Sequence, residues 1–198
     1  MINNFELVKS LFYFNEANDM FMHLQVIRRG KDHPNLPAAN RTIQTYYVQS
    51  KEHLDRIKDE VIQLCEMYGA RAYINIAGKD FDSLAKLTMS KLAERIYMGD
   101  CKKIYKLFNS AAGELKSRRS LFLIDVDKDE LENLEEIKKW IYKYISEFRE
   151  IIEIPTKTGV HLITSPFNVA QFKHTFPFVD VHKNNPTILY IPKSLDNE

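Results

Sequence analysis

The chain has 198 residues, 44% of them hydrophobic and 12% aromatic, and its 28 Lys and Arg against 27 Asp and Glu give a formal net charge of +1. This composition is typical of a globular protein with one substantial core or two small ones, and it neither requires nor excludes a nucleic-acid partner. Cys65 and Cys101 lack the spacing of metal ligands, which argues against a zinc site. No apolar stretch is long enough to cross a bilayer, and the N-terminus has no leader pattern, so we expect a cytoplasmic protein without a membrane partner.

In chain order, the hydrophobic pattern of the first half predicts a mixture of helices and strands. The predicted elements are a helix at 4–15, strands at 21–29 and 41–49, a helix at 51–68, a strand at 71–77 and two helices up to about residue 112. Ser50 is a good N-cap for the helix at 51–68, and Gly69 ends that helix. We therefore predict an N-terminal α/β module at 1–112, followed by a polar, mobile linker at 113–119.

The second half shows a clearer order of elements. They are a strand at 121–127, a helix with a capping box of Asp129 and Glu132 and apolar positions from Leu131 to Phe148, strands at 150–154 and 160–164, a helix capped by Ser165 and ending at Phe176, and strands at 178–182 and 187–191. Strand-helix-strand-strand-helix-strand is the order of a ferredoxin-like or RRM-like sheet and of a polymerase palm. In that topology the first strand lies between the third and the fourth. We therefore predict an α+β fold with a palm-like subdomain, including the extra last strand, at 120–198.

Two acids stand at the end of the first of these strands. Asp125 and Asp127 are two residues apart, so their side chains point to the same face of the strand, while Phe122, Ile124 and Val126 point to the other. Buried strands normally avoid Asp. Taken alone, such a pair more often ends a strand and opens a helix, so its meaning depends on what else converges on the same place.

Two more polar residues converge on these acids in the predicted sheet. His161 and Asp180 each lie between apolar neighbours on the third and fourth strands, so alternation places them on the open face with Asp125 and Asp127. Carboxylates held this close repel one another unless a cation neutralises them, and oxygen ligands suit Mg²⁺ or Mn²⁺. The pattern favours two-metal phosphoryl transfer, with His161 bonding a phosphate. Each residue also has a simpler interpretation, because a strand His is usually satisfied by a neighbour and Asp180 fits a turn.

Three motifs of this region resemble the archaeo-eukaryotic primase superfamily, in particular its primase-polymerase branch from plasmids and phages. The family's first motif is an apolar strand that ends in acid-x-acid, and residues 122–127 resemble it. Its second motif is a glycine that leads to a histidine at the start of a strand, and residues 156–161 resemble it. An acid between apolar residues, followed by a hairpin and a Pro-Ser ending, is similar to residues 178–181 and 190–194. The resemblance covers residues 120–194 and keeps the order and spacing of the motifs.

The resemblance implies a catalytic core that joins nucleoside triphosphates on a DNA template during replication of a chromosome, plasmid or phage. It implies metal ligation and catalysis by Asp125, Asp127 and Asp180, and catalysis and nucleotide binding by His161, with Thr158 of the same motif as a further nucleotide-binding residue. Lys157 departs from the family, since many members have glycine there, and we predict from its charge that its ammonium group binds a nucleotide phosphate. Gly159 stands two residues before the histidine in place of a serine. Members often depend on helicase or primer-binding domains, so a partner protein that supplies one is expected.

Basic residues outside these motifs are candidates for contacts with template phosphates. The candidates are Arg28, Arg29, Arg41, Arg118 and Arg119. A solvated surface explains any one of them equally well. Tyr46, Tyr47 and Tyr73 are interleaved with strand residues, which fits either stacking on bases or packing in the core.

Two other functions stay open at this point. One is a nucleic-acid-binding replication accessory domain that keeps the palm-like sheet without turnover. The other is a haloacid-dehalogenase-type phosphatase, whose nucleophile motif is also Asp-x-Asp on a strand. The phosphatase requires a parallel sheet and usually Gly-Thr after the acids, whereas Lys128 and Asp129 follow here.

Overall fold

The computed structural model describes residues 1–11, 19–35, 39–118, 120–145 and 151–195, and it has a mixed α+β fold with two antiparallel sheets. The first sheet has the order β1-β9-β4-β2-β3 and the second has the order β6-β7-β5-β8. The strands are β1 Ile2–Asn3, β2 Met20–Arg28, β3 Arg41–Val48, β4 Arg71–Asp80, β5 Phe122–Asp127, β6 Ile152–Pro155, β7 Gly159–Thr164, β8 Asp180–Lys183 and β9 Thr187–Ile191. The α-helices are α1 Phe5–Ser10, α2 Lys51–Tyr68, α3 Phe81–Tyr97, α4 Leu107–Glu114, α5 Leu134–Tyr144 and α6 Val169–Thr175. No helix of the described residues is long and apolar enough to cross a membrane.

The helix α2 forms as its sequence predicts. The side chain of Ser50 accepts a hydrogen bond from the backbone N–H of His53 at 3.0 Å, which satisfies one of the free donors of the first turn. Gly69 ends the helix with a φ of 53°, a left-handed conformation that glycine adopts without strain. The buried residues of α2, which are Leu54, Ile57, Val61 and Cys65, recur at helical spacing and pack on the first sheet.

The second sheet has the predicted strand order. β5 lies between β7 and β8, and β6 pairs with the other edge of β7, so the βαββαβ order gives the antiparallel sheet of a ferredoxin-like unit. One face of this sheet is covered by α5 and α6. The buried core between them consists of Ile124, Val126, Ile137, Ile141, Val160, Leu162, Phe172 and Val179. The apolar residues that alternate with the acids therefore lie on the helix side, as expected.

Both predicted helix caps of the second half are wrong. Asp129 and Glu132 lie in a 3-10 helix, Lys128–Asn133, and α5 starts after it without a side-chain cap. α6 starts after Asn168, whose side chain accepts a hydrogen bond from the backbone N–H of Gln171 at 3.1 Å, rather than after Ser165. Asn caps as well as Ser does, and it stands closer to Phe172, which anchors this short helix in the core.

The last strand does not extend the second sheet. β9 pairs antiparallel with β1 and β4 in the interior of the first sheet, so residues 187–191 leave the expected palm-like unit. All five residues of β9 are buried, whereas β8, at the edge of the second sheet, is partly exposed. A strand that is buried on both faces is stabilised most in a sheet interior, which explains its position.

The two sheets are also joined face to face. Leu123, Ile154 and Ile163 lie on the face of the second sheet that carries the acids, yet they are buried in the core of the first sheet. Asn4 is buried at the same junction, where its side-chain amide donates to the carbonyl oxygens of Pro155 at 2.9 Å and Ile188 at 3.1 Å. The face that alternation predicts to be open is therefore open only near Asp125 and Asp127.

The predicted linker contacts the first sheet. The backbone N–H of Arg118 donates to the carbonyl of Gly78 at 3.0 Å, and its guanidinium pairs with Asp80 at 3.2 Å. Three predictions lie outside the described residues: the end of the first helix beyond Leu11, the segment from Phe148 to Glu150, and Arg119.

Candidate functional site

A cavity of about 600 Å³ opens between the two sheets. The second sheet contributes Asp125, Asp127 and His161 to its lining, and we call these three residues the acidic wall. Arg29, Lys31 and Arg71, which lie at or beside the strand ends of the first sheet, form what we call the basic wall. Acidic and basic side chains thus face one space from different sheets.

The position of His161 depends on both sheets. It lies directly opposite Asp125 in the register of β5 and β7, and its Nε2 is 3.6 Å from Asp125 Oδ1. Its Nδ1 shares a hydrogen bond of 2.9 Å with the hydroxyl of Thr187, which is buried on β9 of the first sheet. Burial lowers the pKa of His161, although the charge of Asp125 acts in the opposite direction. The ring is therefore held with Nε2 beside the carboxylate.

Asp127 lies at the end of β5, where it is exposed and has no hydrogen-bond or ion-pair partner among the described residues. Its register partner is Gly159 on β7. A Cβ at Gly159 would overlap the carbonyl oxygen of Val126, so only glycine allows β7 to approach β5 at this point. This close approach explains why glycine stands where the resembling motif has serine.

Asp180 is placed differently from the other two acids. It pairs with Asp125 in the register of β5 and β8, but it does not line the cavity. Its carboxylate accepts a hydrogen bond from Lys173 Nζ of α6 at 3.0 Å, and its side chain is 69% exposed. The structure brings Asp125, Asp127 and His161 together in the cavity and leaves Asp180 at the surface beside it.

The donor set of the acidic wall suits a hard divalent cation. Within the described residues, no three His, Cys, Asp or Glu side chains form a group that could hold a metal ion. Mg²⁺, however, is commonly held by one or two carboxylates together with water and substrate phosphates. Asp125 and Asp127 are the residues of the cavity that fit this role.

The basic wall contains a buried ion pair. Arg71 donates from Nε and Nη2 to the two carboxylate oxygens of Asp32, at 2.8 and 2.6 Å, and both side chains are almost fully buried. Arg29 donates to the hydroxyl of Tyr73 at 3.2 Å. This bidentate geometry fixes the guanidinium of Arg71 at the cavity.

The turn before β7 completes the cavity. Lys157 and Thr158, the predicted nucleotide-binding residues, both line it. Thr156 closes the turn, because its backbone N–H donates to the carbonyl of Gly159 at 3.0 Å and its hydroxyl accepts from the N–H of Gly159 at 3.1 Å. The turn therefore places an ammonium group beside the acidic wall.

The other predicted nucleic-acid contacts are dispersed. Arg29 lines the cavity, whereas Arg28 and Arg41 face each other across β2 and β3 away from it, and Arg118 pairs with Asp80. Tyr46 and Tyr47 pack and bond internally, through hydroxyl bonds to Glu60 at 2.8 Å and Asn109 at 2.6 Å. Tyr73 does line the cavity.

Sequence reasoning missed several residues of this region. His182 lies two residues after Asp180 on β8 and lines the cavity, so strand alternation was a sufficient signal for it. Thr187 and Asn185 come to the site only because β9 crosses to the first sheet, and no local pattern indicates that crossing.

Comparisons of the chain with protein-family models, with curated proteins and with solved structures returned no match.

Proposed function

We propose that this chain is a primase-polymerase-like nucleotidyltransferase that joins nucleoside triphosphates on a DNA template with Mg²⁺ or Mn²⁺. The observation that carries the proposal is the meeting of Asp125, Asp127 and His161 with Arg29, Lys31 and Arg71 in one cavity. A triphosphate needs cations along its phosphates, and its transfer needs a metal site at the reacting oxygens. One cavity with an acidic and a basic wall offers both.

The chain's own residues divide this work. Arg71 is oriented by Asp32 through Nε and Nη2 and can donate to a phosphate oxygen from Nη1, and Lys157 adds a positive charge from the turn. His161 is oriented by Thr187, which leaves Nε2 free to contact a phosphate oxygen near Asp125. Positioning and electrostatic stabilisation account for most of the catalysis in phosphoryl transfer.

Asp125 and Asp127 would hold the metal. When bound, a divalent cation makes a 3′-hydroxyl more acidic and stabilises charge on the leaving oxygen. Asp180 would be the third acid, and its carboxylate would then bind the metal in place of Lys173.

A non-catalytic role is the second candidate, and one observation favours it. Asp180 lies outside the cavity and pairs with Lys173, so two of the three predicted metal ligands line the cavity. A replication accessory domain would use the same cavity to bind a nucleic-acid phosphate without turnover. The phosphatase alternative is not retained, because it requires a parallel sheet and every strand pairing of the second sheet is antiparallel.

Incorporation of labelled nucleotide on a primed DNA template, with Mg²⁺ or Mn²⁺, tests the proposal. We expect incorporation by the intact chain and a loss on the order of 100-fold or more in the double variant Asp125→Asn with Asp127→Asn. The matched control is Asp82→Asn, which changes an exposed carboxylate on α3 that pairs with Lys86 and should leave incorporation unchanged.

The result also separates the two candidates. Equal incorporation by the intact chain and the double variant would refute catalysis at this site. DNA binding by an intact chain that incorporates nothing would identify the accessory role instead.

A further inference from the structure

A second cavity, of about 350 Å³, lies beside the first one. The two cavities share Tyr73, Asn185 and Pro186 in their linings. The second cavity is also lined by His23, Gln25, Asn75 and Lys79 on the inner face of the first sheet. The two spaces are therefore neighbours along one sheet, with a shared boundary at residues 185–186.

The loop at this boundary is held firmly. Asn184 has a φ of 56°, a conformation that Asn tolerates better than most residues do. Its backbone N–H donates to the carbonyl of Leu121 at 2.8 Å, and its side-chain oxygen accepts from the N–H of Leu121 at 3.0 Å. Its own carbonyl accepts from the amide of Asn75 at 2.7 Å. These bonds tie the loop to both sheets, so the second cavity has a fixed shape.

Lys79 brings a buried charge to this cavity. It is 4% exposed, and its ammonium group donates to the carbonyl oxygens of Ala112 at 2.6 Å and Gly113 at 3.4 Å, at the end of α4. No carboxylate of the described residues lies within ion-pair distance of it. Burial lowers the pKa of Lys79, as expected for a cation that lacks a counter-charge. An anion in the cavity would supply that charge.

His23 supplies an unused hydrogen-bonding atom. It lies on β2, it is 6% exposed, and its Nε2 has no hydrogen-bond partner among the described residues. Burial and then the charge of Lys79 lower its pKa to about 4, so the ring is neutral at neutral pH and can donate from one nitrogen. Buried polar atoms without partners are rare in folded proteins and point to a missing ligand.

The charges around these two residues favour an anion. Lys116 and Lys183 also line the cavity. Glu114 lines it as well, but its carboxylate is already paired with Lys91 at 2.6 Å. Lys79, Lys116 and the neutral ring of His23 therefore line a cavity whose carboxylate is engaged by a residue outside the lining, while the ammonium group of Lys183 lies 5.7 Å from the centre of the Phe122 ring.

We propose that the cavity around His23 and Lys79 is a second anion site that binds a phosphate group. Charge-assisted bonds from Lys79 and an N–H bond from His23 hold two of its oxygens, and Lys116 adds charge. The phosphate arrives as a free anion or on a nucleic-acid strand. Binding of a nucleic-acid strand rests on the proposed function, since a nucleic-acid strand that passes the shared boundary would place one phosphate in each cavity.

Titration of the full chain in EDTA tests the site, with histidine ring resonances followed by NMR. The probes are inorganic phosphate, hexathymidylate with a 5′-phosphate, and hexathymidylate without one. We expect inorganic phosphate to shift the ring signals of His23. A similar shift with both oligonucleotides identifies an internal phosphodiester as the ligand, a shift only with the phosphorylated one identifies a terminal phosphate, and a shift with inorganic phosphate alone identifies the free anion.

Variants test whether the shift of the His23 ring signals comes from phosphate bound in this cavity. Lys79→Met should weaken phosphate binding by roughly tenfold or more, since it removes a charge-assisted bond. Lys116→Met, at an exposed position that does not threaten folding, should weaken it less. The control is Lys138→Met, a largely buried lysine that already pairs with Glu135 and Glu153 on the far side of the second sheet, with an expected change below about twofold.

The proposal would be overturned if phosphate shifts the ring signals of His161 but not those of His23. It would also be overturned if a folded Lys79→Met variant and a Lys116→Met variant both bind phosphate like the intact chain. The test uses neither metal nor turnover. Failure here therefore leaves nucleotidyl transfer standing, and a variant with Asp125→Asn and Asp127→Asn that loses incorporation should keep the His23 response.

Discussion

The two walls of the main cavity are built in different ways. On the basic wall, Arg71 is buried and fixed by two hydrogen bonds to Asp32. On the acidic wall, Asp125 is partly exposed, and Asp127 is exposed and has no partner among the described residues, while the carboxylate of neighbouring Asp180 pairs with the partly buried Lys173. One wall is satisfied within the protein, while the other leaves its charges available.

This difference separates stability from function. A buried ion pair that loses one partner leaves an uncompensated charge, so the basic wall should be sensitive to substitution as a matter of folding. Exposed carboxylates contribute little to stability, so the acidic wall should tolerate neutral substitutions and reveal its role only in binding and turnover.

The largest expected effect is on the basic wall. Arg71→Met should lower the free energy of unfolding by about 3–5 kcal/mol, because it leaves the carboxylate of Asp32 buried without a partner. Urea denaturation followed by circular dichroism measures this change. In the double variant Arg71→Met with Asp32→Leu, most of the stability should return, since both charges are then absent. A single variant within about 0.5 kcal/mol of the intact chain would show that the pair does not fix this wall.

A second effect on the first sheet depends on pH. The pKa of His23 is lowered from 6.5 to about 4, so the folded state favours the neutral ring. Its contribution is fully present above pH 6.5 and is lost as the pH falls from 6.5 toward 4, by about 3 kcal/mol in total.

The comparison of His23→Gln with the intact chain isolates this contribution. Urea midpoints at pH 7 and pH 4.5 should show a steeper loss of stability in the intact chain than in the variant, because only in the intact chain does unfolding expose a neutral imidazole ring that then takes up a proton at low pH. Parallel pH dependences would mean that the ring is not buried in neutral form.

The smallest expected effect on stability is at the acidic wall. Lys173→Met should change the free energy of unfolding by less than about 1 kcal/mol, because the pair with Asp180 is exposed. If Asp180 is the third metal ligand, freeing it should increase the affinity for Mn²⁺ severalfold, as measured by paramagnetic resonance of free Mn²⁺. The matched control is Lys86→Met, which breaks a more exposed pair with Asp82. Unchanged Mn²⁺ affinity in Lys173→Met would remove Asp180 from the metal site.

Local sequence patterns predicted the elements whose bounds depend on interactions between residues close together in the chain. α2 has its predicted bounds because Ser50, an amphipathic stripe and Gly69 all act within a few residues of one another. The order β7-β5-β8 followed from the sequence of elements, since few topologies accommodate it. The caps at Asp129 and Ser165 were wrong because several polar residues compete to start a helix, and packing of the apolar positions that follow decides among them.

The residues of the acidic wall could be predicted from local sequence, whereas the pairing on the basic wall could not. Asp125, Asp127 and His161 were predicted from strand alternation, which is a property of the backbone. The burial of Arg71 with Asp32 and the cavity around His23 and Lys79 carry no local signal, because each joins residues from separate elements. Strand alternation places Asp180 on one face of its strand, but it does not predict that the carboxylate pairs with Lys173.

By itself, the sequence determined the α+β class, the order of the second sheet and which residues carry acidic side chains on one face of it, since hydrophobic periodicity and side-chain alternation are local. Only the tertiary structure decided that β9 crosses to the first sheet, that Thr187 orients His161, and that a basic wall faces the acids. The physical reason is burial. A strand made mostly of apolar residues is stabilised wherever it is covered on both faces, and that position depends on the whole fold rather than on its neighbours in the chain.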